Sequence, residues 1–286
     1  MIPVPFDYLR PATLAEAVAA LGSAEEGKLL AGGQSLLPVL RLRLAAPTLL
    51  VDLGAVPGLR GVQLSGADLV IGAMTTHAEV AASDLVREHA PLLAAAAATV
   101  GDRQVRHRGT LGGSLAHADP AADLPAVAAA LDAVCVVAGP SGRRSIPAAD
   151  FAVDLFTTAL APDEVLVEVR LPSTAGWAVH YEKFHRTAQS WAIVGVAAAV
   201  RRDNGGIGAA RVALTNVGPV PHRARGVEEA LAGAPATAEA IATACAGAAE
   251  GTDPVDDLTA SARYRRELAR VLSTRAVCRA LGVRAD

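Results

Sequence analysis

The chain has 286 residues, 52% of them apolar, and a formal net charge of −3. That composition supports a packed core and excludes a globally disordered chain, while the slight acidic excess argues against nucleic acid as the main partner. No apolar run reaches the roughly 20 residues of a spanning helix, and the opening MIPVPFDYLRP lacks the basic and long apolar regions of a signal peptide, so a cytoplasmic protein with no membrane span is expected.

PATLAEAVAALGSA predicts a helix, with Thr13 and Glu16 spaced as a capping box and Leu14, Val18 and Leu21 on one face. KLLA (28–31) and PTLLVDL (47–53) read as strands, with SLLPVLRLRL between them as a short helix. ADLVIGA (67–73) reads as a strand running into TTHAEVAAS, where Thr76 and Glu79 repeat the capping signature. His77 reads there as a surface residue at a helix start. APLLAAAAATV (90–100) predicts an alanine-packed helix. AADLPAVAAALDA (121–133) predicts another, with Asp123 at its start. VCVVAG (134–139) reads as a strand, PSGRRSIPAADF as turn and loop, and DEVLVEVRLP (163–172) as a half-buried strand of period two.

The last third changes character. WAVHYEKF and WAIVGVAAAVRRDNGGIGAARVALTNVG predict antiparallel strands, with DNGG as a hairpin turn. Helical patterns follow at 224–233, 237–249 and 261–281. The change predicts two lobes with a boundary near 173–178. The basic stretches at 102–108 and 263–284 read as solvated faces, with a protein-partner surface as the second option. Arg103, Arg106 and Arg108 belong to the first stretch; they read as solvated or partner-facing, with balancing the charge of a bound phosphate as the alternative.

Cys135, Cys245 and Cys278 are far apart and odd in number, which points to a reducing compartment without a disulfide framework. Three thiolates fall short of the four that an iron–sulfur cluster commonly needs. The histidines show no metal-ligand spacing, so no metal is expected.

Two glycine-rich segments carry the chemistry. The first is Ala31-Gly32-Gly33-Gln34-Ser35-Leu36 and the second Thr110-Leu111-Gly112-Gly113-Ser114. Glycine admits positive φ and close approach to the main chain. A following helix start offers amide donors that suit phosphate. Ser35 either caps a helix or donates to a phosphate oxygen. Two such turns in one lobe can hold the two halves of one pyrophosphate. Asp123 either caps its helix or accepts from a ribose hydroxyl. Neither segment matches G-x-G-x-x-G or G-x-x-x-x-G-K-[ST], which disfavours a Rossmann domain and a nucleotide hydrolase.

AGGQSLLPVLRLRL, IGAMTTHAEVA, RHRGTLGGSLAHADPAADLPAV, VLVEVRLP with YEKF, and ASARYRRELARVL together resemble the flavoprotein medium subunit of molybdenum hydroxylases, of the carbon-monoxide-dehydrogenase and xanthine-dehydrogenase type. The resemblance runs from about residue 3 to about residue 283. It implies an α+β fold: a two-subdomain, PCMH-type FAD-binding lobe at 1–175 (subdomains about 1–56 and 57–175), then a smaller lobe of antiparallel sheet plus helices at 176–286. It implies FAD contacts at Leu30, Ala31, Gly32, Gly33, Gln34, Ser35 and Leu36, at Gly101, and at Thr110, Gly112, Gly113 and Ser114. His117, Asp123 as the ribose-binding aspartate, and Leu166 and Lys183 near the isoalloxazine ring complete the set. Lys183 is one of only two lysines. It reads as either a cation that favours the reduced flavin or a surface lysine on a strand edge. Trp191 reads as a core residue or a shield for one flavin face.

The implied role is electron transfer by an FAD-dependent oxidoreductase with no catalytic acid or base. Electrons would pass from [2Fe–2S] clusters on a small partner subunit, beside a large molybdopterin subunit, to an unassigned acceptor. The assembly would be a dimer of heterotrimers. A stand-alone FAD-dependent oxidoreductase acting on a small organic substrate is the alternative. A scaffolding protein that has lost the cofactor is a third reading, disfavoured by the intact glycine segments and Asp123.

Overall fold

The computed structural model describes residues 2–284; residues 1 and 285–286, the outer ends of the expected lobes, lie outside the described residues. The chain opens with β1 (Asp7–Leu9), α1 (Leu14–Ser23), β2 (Gly27–Leu30), α2 (Leu36–Arg41) and β3 (Leu49–Asp52). β3 lies between β1 and β2, and all three strands are parallel. Only half of the expected capping box closes on α1. The Thr13 hydroxyl accepts the Glu16 amide at 3.2 Å, but the Glu16 carboxylate reaches past it to the amide of Ala12 at 2.8 Å.

The next stretch comprises β4 (Val62–Ser65), β5 (Asp68–Gly72), α3 (His77–Ala82), α4 (Asp84–His89), α5 (Pro91–Ala98), α6 (Arg103–Arg108), α7 (Leu111–His117), α8 (Asp123–Ala130), β6 (Val134–Gly139), β7 (Gly142–Pro147), β8 (Ala152–Asp154), β9 (Thr157–Thr158) and β10 (Val165–Pro172). β4-β5-β10-β6-β7 form one antiparallel sheet. The box on α3 closes in both directions. β7 occupies the segment expected to be loop. It is an edge strand whose Arg143, Arg144 and Ser145 are exposed, so no apolar alternation marks it.

The period-two pattern of β10 breaks where the strand bulges between Leu166 and Glu168. Val165 and Val167 face one core with α1 and β3. Leu166, Val169 and Leu171 face the other, built from α3, α4, α5, α7 and α8. The bulge therefore changes the parity of the strand between two cores.

The remaining elements are β11 (Ala178–Phe184), β12 (Val194–Asp203), β13 (Gly206–Thr215), β14 (His222–Arg223), α9 (Arg225–Leu231), α10 (Ala238–Cys245) and α11 (Ala262–Leu281). β11-β12-β13-β14 form an antiparallel sheet. Asn204 and Gly205 both take left-handed φ, +46° and +82°, as a two-residue hairpin loop requires. Ala197, Ala199 and Ala213 pack toward the α5–α8 core, while Val196, Val200, Val212 and Leu214 pack under α9, α10 and α11. Burial on both faces explains the unbroken apolar run of β12. This is the α+β architecture implied by the sequence.

One arginine of the C-terminal basic stretch is not solvated. Arg265 is 1% exposed; its guanidinium donates to the Ile193 carbonyl and at 2.5 Å to Asp257. Arg265→Ala leaves that carbonyl unpaired and opens a cavity. It is expected to lower stability by about 2–4 kcal/mol in chemical denaturation.

Candidate functional site

Leu30 ends β2, paired with Asp52. Ala31, Gly32 and Gly33 turn the chain, and Gln34, Ser35 and Leu36 lead it into α2. Gly33 takes φ +74°, a left-handed conformation. A Cβ on Gly32 would lie 2.1 Å from the Arg108 carbonyl oxygen and 2.8 Å from the Gly109 Cα. A Cβ on Gly113 would lie 3.6 Å from that of Ala31. The two glycine segments are therefore neighbours, and Gly32 lies against the backbone of Arg108 and Gly109, just before the second. Ser35 makes no capping bond with its side chain. Among the described residues, the amides of Gly32, Gly33, Gln34 and Ser35 find no acceptor.

The second segment departs from the expected open turn with free donors. Thr110 is the N-cap of α7, and Gly112 and Gly113 lie in its first turn. The Gly112 amide donates to the Ala73 carbonyl at 2.8 Å, the Gly113 amide to the Thr110 hydroxyl at 3.1 Å, and the Ser114 amide to the Thr110 carbonyl at 3.0 Å. Leu111 donates to the Thr75 carbonyl, and the His77 amide to the Gly109 carbonyl. Residues 73–77 thus form a strip onto which 109–112 is stitched. A Cβ on Gly112 would lie 2.5 Å from that of Ala73, so the stitch requires glycine.

His77 is buried rather than on the surface, at 4% exposure. Its ring backs Gly109, and its Nδ1 has no partner. Burial, helped by the Arg106 cation, pushes its pKa down to about 4. Arg106 turns inward too, donating to the carbonyls of Val100 (2.9 Å) and Gly101 (3.3 Å). Gly101 itself takes φ +49°.

Asp123 is the first residue of α8, whose N-cap is Ala122, so the capping alternative falls away. Its carboxylate is buried and accepts from the Tyr181 hydroxyl at 2.6 Å and from Lys183 Nζ at 2.7 Å. Lys183 also donates to the Thr99 carbonyl at 3.2 Å. Its side chain is 6% exposed, which removes the surface-lysine alternative. An ammonium has three donors, and the third has no acceptor among the described residues. Burial raises the Asp123 pKa, and Lys183 and Tyr181 pull it back. Burial and the Asp123 charge raise Tyr181, which stays a donor.

The other expected residues lie apart from these bonds. His117 ends α7, 3.9 Å from Asp119 and against the Phe156 ring. Leu166 is a buried residue of β10, paired with Val137. Trp191 is 56% exposed, so it is not a core residue. The structure adds Tyr181 and Thr99, which the sequence reading does not single out, and turns Arg106 inward where a solvated or partner-facing residue is expected. Tyr181 stands two residues from Lys183 in a predicted strand, so period two alone places both on one face.

A family model described as the FAD binding domain in molybdopterin dehydrogenase matches residues 4–174, and one described as the CO dehydrogenase flavoprotein C-terminal domain matches residues 179–280. The chain is 42% identical to the carbon monoxide dehydrogenase medium chain of Hydrogenophaga pseudoflava, over 97% of both proteins. It is 37% identical to 6-hydroxypseudooxynicotine dehydrogenase complex subunit alpha of Paenarthrobacter nicotinovorans, over 98% of this chain and 96% of that one. A solved carbon monoxide dehydrogenase from Hydrogenophaga pseudoflava superposes with a TM-score of 0.96 at 43% identity, covering 99% of each chain.

His77 makes stability depend on pH. The unfolded chain takes up a proton near pH 6.5, whereas the folded chain resists until about pH 4. Stability is therefore full above pH 6.5 and falls as the pH drops toward 4. The loss between pH 7.5 and 5 is about 2 kcal/mol. Thermal melts at the two pH values should show a smaller difference in His77→Gln than in the wild-type chain.

Proposed function

This chain belongs to the carbon-monoxide-dehydrogenase flavoprotein family, the FAD-binding medium subunits of molybdenum hydroxylases, and from that premise we propose how it holds its flavin and where it stands in electron transfer. It is an FAD-dependent oxidoreductase subunit of a multi-subunit enzyme with small and large partner chains.

The single observation that carries the site assignment is the set of acceptor-free amides at Gly32–Ser35, pressed against the start of α7. Those amides suit a pyrophosphate. Leu30, Ala31 and Leu36 frame them. Thr110 and Ser114 bring hydroxyls from the facing helix. Gly112 and Gly113 contribute close approach, since their amides are engaged. Asp123 would accept from a ribose hydroxyl. Gly101, His117, Leu166 and Lys183 would surround the ring system. When bound, FAD supplies the redox chemistry, taking up electrons singly and passing them on. The spare donor of Lys183 would offer a positive charge to the ring as it gains electrons.

Cys135, Cys245 and Cys278 are buried, and burial alone pushes Cys135 up to about 12. Three inert thiols support clusters housed on the small subunit, with molybdopterin on the large one. We place the division of the chain at 175/176, with subdomains meeting near residue 56. We further infer a dimer of heterotrimers in the cytoplasm.

The purified, deflavinated chain should take up FAD on titration, followed by flavin absorbance; a folded chain that takes up none would overturn the assignment. Gly33→Val forces a branched side chain into left-handed φ, at a cost of roughly 1–2 kcal/mol. It should weaken FAD binding about tenfold with the circular dichroism of the fold unchanged.

A further inference from the structure

Resting on the flavin-site reading above, we propose that Tyr181 is a positioning residue for the cofactor: it does not touch FAD but fixes the orientation of the Asp123 carboxylate that would accept from its ribose.

Tyr181 and Lys183 stand on one face of β11 and reach the same carboxylate from the C-terminal sheet. Tyr181 holds Oδ1 at 2.6 Å and Lys183 holds Oδ2 at 2.7 Å. With each oxygen held by a different donor, the carboxylate plane cannot turn. The lone pairs left over keep one direction toward a ribose hydroxyl.

The sheet is built to leave room for this hydroxyl. Lys183 pairs with Gly195 on β12, and Gly195 pairs with Thr215 on β13. This cross-strand row faces the start of α8. Lys183 binds Asp123. The Thr215 hydroxyl lies 2.7 Å from the Pro120 carbonyl and 2.6 Å from that of Ala122. Gly195 between them has no side chain, and the Tyr181 hydroxyl occupies its space. A Cβ there would lie 2.6 Å from that hydroxyl and 2.7 Å from Thr215 Cγ2. Next along β13, the Asn216 amide donates to Pro120 and its side chain to the Ala192 carbonyl, beside Trp191. The residues that aim Asp123 therefore come from the C-terminal lobe, although Asp123 is on the other.

The test uses the full chain, deflavinated and titrated with FAD. Tyr181→Phe removes only the hydroxyl and should raise the FAD dissociation constant roughly tenfold. It should also change the visible circular dichroism of the bound flavin. Asp123→Asn should weaken binding at least as much, and the double variant should bind no more weakly than Asp123→Asn alone, since Tyr181 acts through that carboxylate. Gly195→Ala keeps the tyrosine but fills its space, so it should also weaken FAD binding and serves if Tyr181→Phe does not fold. Wild-type affinity in Tyr181→Phe, or losses that simply add to those of Asp123→Asn, would overturn the inference. Failure of the wild-type chain to bind FAD would instead overturn the flavin assignment itself.

Discussion

The buried pair of Asp123 and Lys183 is the contact that ties the start of α8 to β11. Removing both charges from water is costly, and the pair is compensated by further hydrogen bonds on each side. Tyr181 supplies one hydrogen bond to the carboxylate, and Thr99 accepts one from the ammonium. The consequence is architectural. The start of α8 and the middle of β11 must come together, or an uncompensated charge stays buried. The antiparallel sheet of β11–β14 therefore reaches the candidate site. A lysine suits this position in an otherwise arginine-rich chain because a compact ammonium serves acceptors in several directions, whereas a guanidinium is a planar fork.

The other half of the site depends on backbone meeting backbone. Gly32 can lie against Arg108 and Gly109 only without a side chain, and Gly112 against Ala73 for the same reason. The motif around residues 73–77 acquires its meaning here. It is the strip that binds the glycine-bearing start of α7, while the Ala73 amide donates in turn to Val167 of β10. Three segments distant in sequence form one hydrogen-bonded unit, and His77 is buried beneath it. The division of labour follows: the loop before α2 keeps its amides available, while α7 uses its own internally.

The local signals were legible wherever one element answered to its own period. The N-cap threonines of α1 and α3, the DNGG hairpin and the alternation of β10 beyond its bulge depend on neighbours within a few residues. Misreadings fell where a partner outside the window decided the outcome. β7 carries polar residues because it is an edge strand. Gly112 and Gly113 look like a turn but are helical, because Thr110 caps them and the strip at 73–77 holds them. His77 looks exposed in the linear chain because the segment that covers it, 105–109, is nearly 30 residues away.

The sequence by itself determined the family, the FAD-binding role, the α+β order of elements and the pairing of two glycine segments with an acidic residue downstream, since composition, spacing and motif are properties of the linear chain. Only the tertiary structure decided what those residues touch. It set Asp123 against Lys183 and Tyr181, made Lys183 a buried group, left the amides before α2 without acceptors and engaged those of α7. The physical reason is that burial and hydrogen-bond competition are settled between segments far apart in the chain, and no local pattern records which donor reaches an acceptor first.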